Sequence, residues 1–222
     1  KNVYLNRTAA FLPNTPVGND AIEAVLGMAG ELPSRVRRMI LRSNGIQTRH
    51  YAIDPDSRRA THTNAELAAE AVRRLFAQGI KPEDITSLSC ATSYPDQTMP
   101  GHGVMVHGLL DMPSCEVLSM AGVCAAGMAA MKHAYNAVRT GEHAHAVAAA
   151  SENASAVMRG EVFQHETDRK KLENAPPEIG FEKDFLRWML SDGAGAVYLS
   201  DRPNSDFLSL KIHWIDLLSY AN

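Results

Sequence analysis

Cys124 is the residue of this chain best suited to covalent chemistry, because it lies where a strand is expected to pass into a helix. It follows the apolar run 115–120 and precedes a helix-forming segment, 125–139, which is followed by Gly141, a typical C-terminal cap. Unpaired backbone N–H groups at a helix start favour the nucleophilic thiolate, and the small residues around it would admit a substrate carbonyl. The pattern therefore predicts a nucleophile, although a cysteine among alanines can also be a small buried apolar residue.

Histidines are the other side chains with obvious chemical capacity. His143 and His145 are spaced two apart, so on a strand they would share one face and could suggest a metal. No third ligand has suitable spacing, and a chance pair is the preferred interpretation. The sequence therefore predicts no metal site.

Composition excludes several classes of protein. The net charge of −3 and the lack of a basic run with interleaved aromatic residues argue against a nucleic-acid binder. Three scattered cysteines fit a reduced, cytoplasmic protein better than a disulfide framework. No segment has the apolar length of a membrane span, and the start of the chain lacks a signal-peptide pattern.

The elements that would position Cys124 alternate along the chain. The order of strands and helices predicts a layered α/β fold. Strands are expected at 3–11, 46–53, 85–92, 115–120, 145–151, 191–199 and 208–218, helices at 19–29, 33–41, 63–76, 100–110 and 125–139, and a polar surface loop at 161–177.

Four segments, in this order, resemble the ketoacyl-ACP synthase III branch of the thiolase-fold condensing enzymes. They are 44–50, which contains Gly45-Ile46 and Arg49-His50; 91–100, a loop after a buried strand; 124–127, at the position of the family's active-site cysteine; and 191–196, a glycine-rich strand entry. The resemblance implies an α/β, thiolase-like fold in which layered sheets enclose a buried central helix.

The resemblance also implies the chemistry. Cys124 would take an acyl group from an acyl-CoA or acyl-ACP donor, and a malonyl-type extender on acyl carrier protein would then condense with it and lose carbon dioxide. The product would be a 3-oxoacyl chain for fatty-acid, specialised lipid or polyketide synthesis. No metal or redox cofactor is implied, and the expected enzyme is a cytoplasmic homodimeric acyltransferase.

Residues 1–222 resemble only the N-terminal half of this family. The second half supplies a histidine and an asparagine that work with the cysteine, and nothing in the sequence replaces them. We therefore expect a C-terminal half or a companion chain as a partner.

Two further positions follow from the resemblance. Met99 aligns with a family residue that closes the acyl pocket of the neighbouring subunit. Arg159 is near the sequence position at which the family has an arginine that contacts the adenine of coenzyme A. A loop methionine and a surface arginine are the plain alternatives. Several members of the family have a tryptophan near the position of Met39, and that tryptophan stacks on the adenine. Because this chain has methionine there, priming by coenzyme A is in doubt.

Two other functions stay open at this point. The first is an acyltransferase on the same fold that passes the acyl group on without elongation. The second is a non-catalytic subunit of a heteromeric condensing enzyme, with Cys124 as a buried relic.

Overall fold

The computed structural model describes residues 1–30, 34, 36–166, 182–183 and 185–221. In this part of the chain the strands are β1 (Val3–Phe11), β2 (Val17–Gly18), β3 (Thr48–Arg49), β4 (Ser87–Ala91), β5 (Glu116–Met120), β6 (His145–Glu152), β7 (Gly193–Ser200) and β8 (Leu210–Ile212). The α-helices are α1 (Ile22–Leu26), α2 (Arg37–Asn44), α3 (Asn64–Ala77), α4 (His102–Leu110) and α5 (Ala126–Thr140). None of the described helices is long and apolar enough to cross a membrane.

The chain folds into two compact units, of which the first comprises Lys1–Leu12, Thr63–Glu152 and Gly193–Asn222. Its six-stranded sheet has the order β5-β4-β6-β7-β1-β8. The strands β5, β4 and β6 are parallel to one another, whereas β7 and β8 pair in antiparallel fashion with their neighbours. The predicted mixture of strands and helices is confirmed as an α/β fold.

Each face of this sheet carries its own apolar core, because side chains alternate along a strand. In β6, Val147 and Ala149 pack with α3 and α4, whereas Ala146 and Ala148 pack with α5. The strand β4 is buried throughout, which is typical of a parallel strand covered on both faces. The sheet is therefore a rigid platform between two helical layers.

The helices α3 and α5 begin and end close to where the sequence predicts. Thr63 and Glu66 form a reciprocal capping box at the start of α3. Gly141 ends α5 in a left-handed conformation, with its N–H donating to the carbonyl of Val138. The buried stripe of α5 consists of Ala126, Ala130, Ala134 and Val138, spaced four apart, so this helix packs closely on the sheet.

The second unit comprises Pro13–His62 and Asn153–Asp192. It contains α1, α2 and the two-stranded pair β2–β3 around an apolar core. Trp188, in that core, is fully buried. Three charged side chains, Arg49, Arg187 and Asp192, are also almost completely buried in this unit.

Several predicted elements are shorter than expected. The helix expected at 19–29 reduces to α1 because Gly27 ends it, and the helix expected at 33–41 is observed as α2, which runs on to a left-handed Gly45. The strand expected at 46–53 forms a ladder only at β3 and a single bridge from Ile53 to Ala60, since its other backbone groups bond to loops. The strand expected at 208–218 is only the three-residue edge strand β8. Most of the predicted loop at 161–177 lies outside the described residues.

Candidate active site

The carboxyl ends of three parallel strands meet at one edge of the sheet. Ala91 of β4 lies in register with Met120 of β5 and with Ala150 of β6. Ligand sites of open α/β sheets form outside this end of the strands, where the connecting loops gather. Cys124 follows β5 directly, so the fold places the predicted nucleophile at this edge.

Cys124 is exposed, and it lies in a strained turn between β5 and α5. Val123 has a φ of 48°, in the left-handed region, which is rare for a β-branched residue. A short 3-10 turn over Val123–Ala125 then leads into α5, with the Ala125 N–H donating to the carbonyl of Gly122 at 2.9 Å. This geometry presents the thiol to solvent at a helix start. The alternative of a small buried cysteine is therefore wrong for Cys124.

Small residues bring the start of α5 close to the sheet. A Cβ added at Gly127 would lie 3.2 Å from the Cβ of Ala150. A larger residue at 127 would push α5, and the turn that carries the thiol, away from β6. Packing against β6 thus favours the absence of a side chain at 127.

A carboxylate from β6 anchors the loop that follows β4. The Ser93 N–H and O–H groups both donate to one oxygen of Glu152 at 2.7 Å, and the Thr92 hydroxyl donates to the other at 3.3 Å. The Asn64 amide donates to the Thr92 hydroxyl and to the Tyr94 carbonyl at 2.7 Å. The loop is therefore held on two sides at the edge where Cys124 lies.

A second group of contacts involves the starts of two helices, one bound by this loop and one by β6. Asp96 accepts hydrogen bonds from the N–H groups of Asn64 and Ala65 at 2.7 and 2.8 Å, so its charge caps α3. Ser151 donates to the Asn64 carbonyl at 3.1 Å, and its hydroxyl lies 3.3 Å from Nε2 of His102. Burial lowers the pKa of His102, an effect that outweighs the opposing charges of Asp96 and Glu152. Nothing in the sequence pattern of these residues indicates this network, because its partners are far apart along the chain.

The other predicted site residues lie in different parts of the fold. Met99 is 84% exposed in the loop after β4 and belongs, like Cys124, to the first unit. Arg159 belongs to the second unit, where it lines a cleft of about 710 Å³ together with Arg58, Glu23 and Glu161. Its guanidinium donates to the Arg58 carbonyl at 2.8 Å and lies 3.7 Å from the Glu161 carboxylate.

The motif residues Arg49 and Asp192 hold the second unit together. Arg49 donates to the Trp188 carbonyl at 2.6 Å and to the Asn19 side chain. The Asp192 carboxylate accepts from the N–H groups of Ala52 and Ser155 and from the Ser155 hydroxyl. Burial raises the pKa of Asp192, although these hydrogen bonds oppose the rise. Both residues are structural within this unit.

The curated proteins most similar in sequence that are described below share one name. No protein-family model matches the chain. Beta-ketoacyl-ACP synthase III of Sphingopyxis alaskensis is 33% identical over 159 residues, which cover 71% of this chain and 46% of the relative. The same enzyme of Rhizorhabdus wittichii is 27% identical over 209 residues, covering 93% of this chain and 55% of the relative.

The chain resembles the N-terminal half of ketoacyl-ACP synthase III. It spans about half the length of the curated relatives that it matches. Among solved structures, AbyA1, a tetronic acid condensing enzyme, superposes with a TM-score of 0.68 at 22% identity, covering 91% of this chain and 54% of that one. Such structures establish the thiolase-like fold of the synthase III family for this chain.

Proposed function

We propose that this chain carries the acyl-accepting half of a ketoacyl-ACP synthase III-like acyltransferase. The observation that carries the proposal is the position of Cys124: an exposed thiol, in a strained turn, at the edge where three parallel strands end. The thiolate attacks the carbonyl of an acyl thioester, the donor thiol leaves, and the acyl group remains on Cys124. Backbone N–H groups of the turn would stabilise the oxyanion that forms.

The second step of the proposed reaction is decarboxylative Claisen condensation with a malonyl-type extender on acyl carrier protein. Loss of carbon dioxide leaves a carbanion equivalent, which attacks the acyl-Cys124 carbonyl and releases the thiol with a 3-oxoacyl product. This step is proposed from the resemblance to the synthase III family, whose members are named for it. Fatty-acid synthesis and specialised lipid or polyketide synthesis are the proposed settings.

We also propose roles for the two further site residues. The cleft lined by Arg58 and Arg159 offers two guanidinium groups for the phosphates of an acyl-CoA or of a carrier-protein prosthetic group. The high exposure of Met99 supports a contact outside this chain, such as the neighbouring subunit of a cytoplasmic homodimer.

Intact mass measurement after incubation with acetyl-CoA or an acyl-ACP tests the loading step. The wild-type chain should gain the mass of one acyl group, and Cys124→Ala should abolish this gain. Cys115→Ala is the matched control: its thiol is half-buried and burial raises its pKa, so its removal should leave loading unchanged.

Failure of the wild-type chain to gain an acyl group from either donor, with the folded state verified by circular dichroism, would contradict the proposal. That result would favour a non-catalytic subunit. An adduct that forms equally in Cys124→Ala would place the reactive group elsewhere.

A further inference from the structure

Three side chains that can bind metals converge at the edge of the sheet opposite to Cys124. Glu116, Glu142 and His143 each offer one ligand atom, and these atoms all lie within 4.8 Å of one another. Nε2 of His143 lies 2.9 Å from the carboxylate of Glu116. Among the described residues, these three form the one group of His, Cys, Asp or Glu side chains whose ligand atoms lie this close together.

The backbone around these side chains is anchored by the sheet. Glu116 begins β5, and its N–H donates to the Thr86 carbonyl at 3.0 Å. Glu142 and His143 lie in the turn between α5 and β6, where the His143 N–H donates to the Ala137 carbonyl at 3.1 Å. Thr86 precedes β4, the middle one of the three parallel strands, so it lies between the two segments that supply the ligands. The three side chains thus start from fixed positions.

Thr86 also orients the imidazole of His143. Its hydroxyl oxygen lies 2.9 Å from Nδ1, which leaves Nε2 directed towards Glu116. Histidines that bind metals almost always use the second ring nitrogen in such a hydrogen bond, which fixes the ring. The His143 side chain is only 15% exposed and that of Glu116 is 39% exposed, so the imidazole is largely covered while water can reach the carboxylates.

The distances suit a small transition-metal ion. Around tetrahedral Zn²⁺, with bonds of about 2.0–2.1 Å, ligand atoms lie roughly 3.3 Å apart; here one pair is 2.9 Å apart and every pair lies within 4.8 Å. One imidazole nitrogen and two carboxylate oxygens form a donor set that Zn²⁺ and similar divalent ions accept, with water in the remaining position.

We propose that Glu116, Glu142 and His143 form a binding site for a divalent transition-metal ion, for which Zn²⁺ is the probe. The ion takes the lone pair of His143 Nε2 and replaces the direct contact of that nitrogen with Glu116. Since β5 is an edge strand whose only neighbour in the described sheet is β4, the bound ion ties its first residue to the turn before β6. The proposal does not depend on the function proposed for Cys124.

The proposed site does not use the pair His143 and His145 that the sequence spacing could suggest. His145 is two residues from His143 but takes no part, because its Nδ1 lies 2.5 Å from the Tyr198 hydroxyl. The partners of His143 are a neighbour in the turn and a residue of another strand. Folding, and not sequence spacing, brings the three ligands together.

Calorimetric titration of the folded chain with ZnCl₂ tests the proposal. Because the exposed thiol of Cys124 would also bind Zn²⁺, every protein carries Cys124→Ala. We expect one equivalent to bind and to raise the melting temperature. Glu142→Gln and His143→Gln should each abolish this binding, and Thr86→Val should weaken it by about 10- to 100-fold, as loss of an outer hydrogen bond to a ligand does.

His213→Gln is the matched control, because it removes an exposed imidazole from another part of the same unit and should leave Zn²⁺ binding unchanged. Absence of one-to-one binding by the parent protein would overturn the proposal. Equal binding by the parent, Glu142→Gln and His143→Gln proteins would do so as well. Circular dichroism of the two ligand variants separates loss of binding from loss of folding.

Discussion

At the level of single residues, His102 gives the folded state a specific dependence on pH. Its imidazole is 3% exposed, and its Nδ1 atom has no hydrogen-bond partner among the described residues. Ser151 donates to the Asn64 carbonyl, so Nε2–H of a neutral His102 can donate to the Ser151 hydroxyl. Protonation would place a second N–H in a dry environment without an acceptor, which is why burial lowers the pKa of His102.

The lowered pKa determines the sign of the effect on stability. As the pH falls below about 6.5, the unfolded chain binds a proton at His102 before the folded chain does. The free energy of unfolding should therefore fall with pH, by up to about 1.4 kcal/mol per pH unit, until the folded pKa is reached. Urea unfolding of the wild type and of His102→Gln between pH 7 and pH 5 measures this effect. The free energy of unfolding of the wild type should fall relative to that of the variant as the pH is lowered. Parallel curves would contradict the prediction.

Particular residues show how much the sequence reveals. The capping box at Thr63, the cap at Gly141 and the place of Cys124 at the start of a helix depend on neighbours in sequence, and all were predictable. The contacts of Asp192 with Ala52 and Ser155 join positions far apart in the chain. A motif marks Asp192 as important, but only the folded chain shows that its carboxylate is structural.

At the level of secondary-structure elements, the turn between β5 and α5 is strained where the thiol is presented. Val123 is 69% exposed, so its side chain contributes little to the core, yet its left-handed φ costs about 1–2 kcal/mol. Strain of this kind is found where a functional group must be held in a fixed position. The turn between β5 and α5 thus exposes Cys124 in a conformation that lowers the stability of the fold.

Replacing Val123 by glycine should relieve this strain. We expect Val123→Gly to raise the free energy of unfolding by up to about 1 kcal/mol, since the gain at φ exceeds the entropy lost by glycine. Val104→Gly is the matched control. Val104 is also exposed, but it lies within α4, where glycine should lower the free energy of unfolding by about a few tenths of a kcal/mol. Equal destabilisation by the two substitutions in urea unfolding would refute the strain at Val123.

At the level of the whole molecule, five of the described histidines contact groups other than Cys124. His102 contacts Ser151, His133 contacts Ser89, His143 contacts Thr86, and His145 contacts Tyr198. His50 belongs to the second unit, where its Nδ1 lies 3.0 Å from the Pro13 carbonyl. None of these described contacts directs an imidazole to Cys124, whereas decarboxylation of a malonyl extender needs a group that stabilises the enolate.

The two steps of the proposed reaction should therefore be separable by measurement. We expect the 222-residue chain to accept an acyl group on Cys124 but to release no carbon dioxide from malonyl-ACP, since loading needs only the thiol and its turn. Mass spectrometry follows loading, and release of ¹⁴C-labelled carbon dioxide from malonyl-ACP follows decarboxylation in the same samples. A chain fused to the C-terminal half of a synthase III relative should gain decarboxylation, and its Cys124→Ala variant should form no 3-oxoacyl product. Carbon dioxide release by the unfused chain would show that the group stabilising the enolate lies within these 222 residues and would contradict this division.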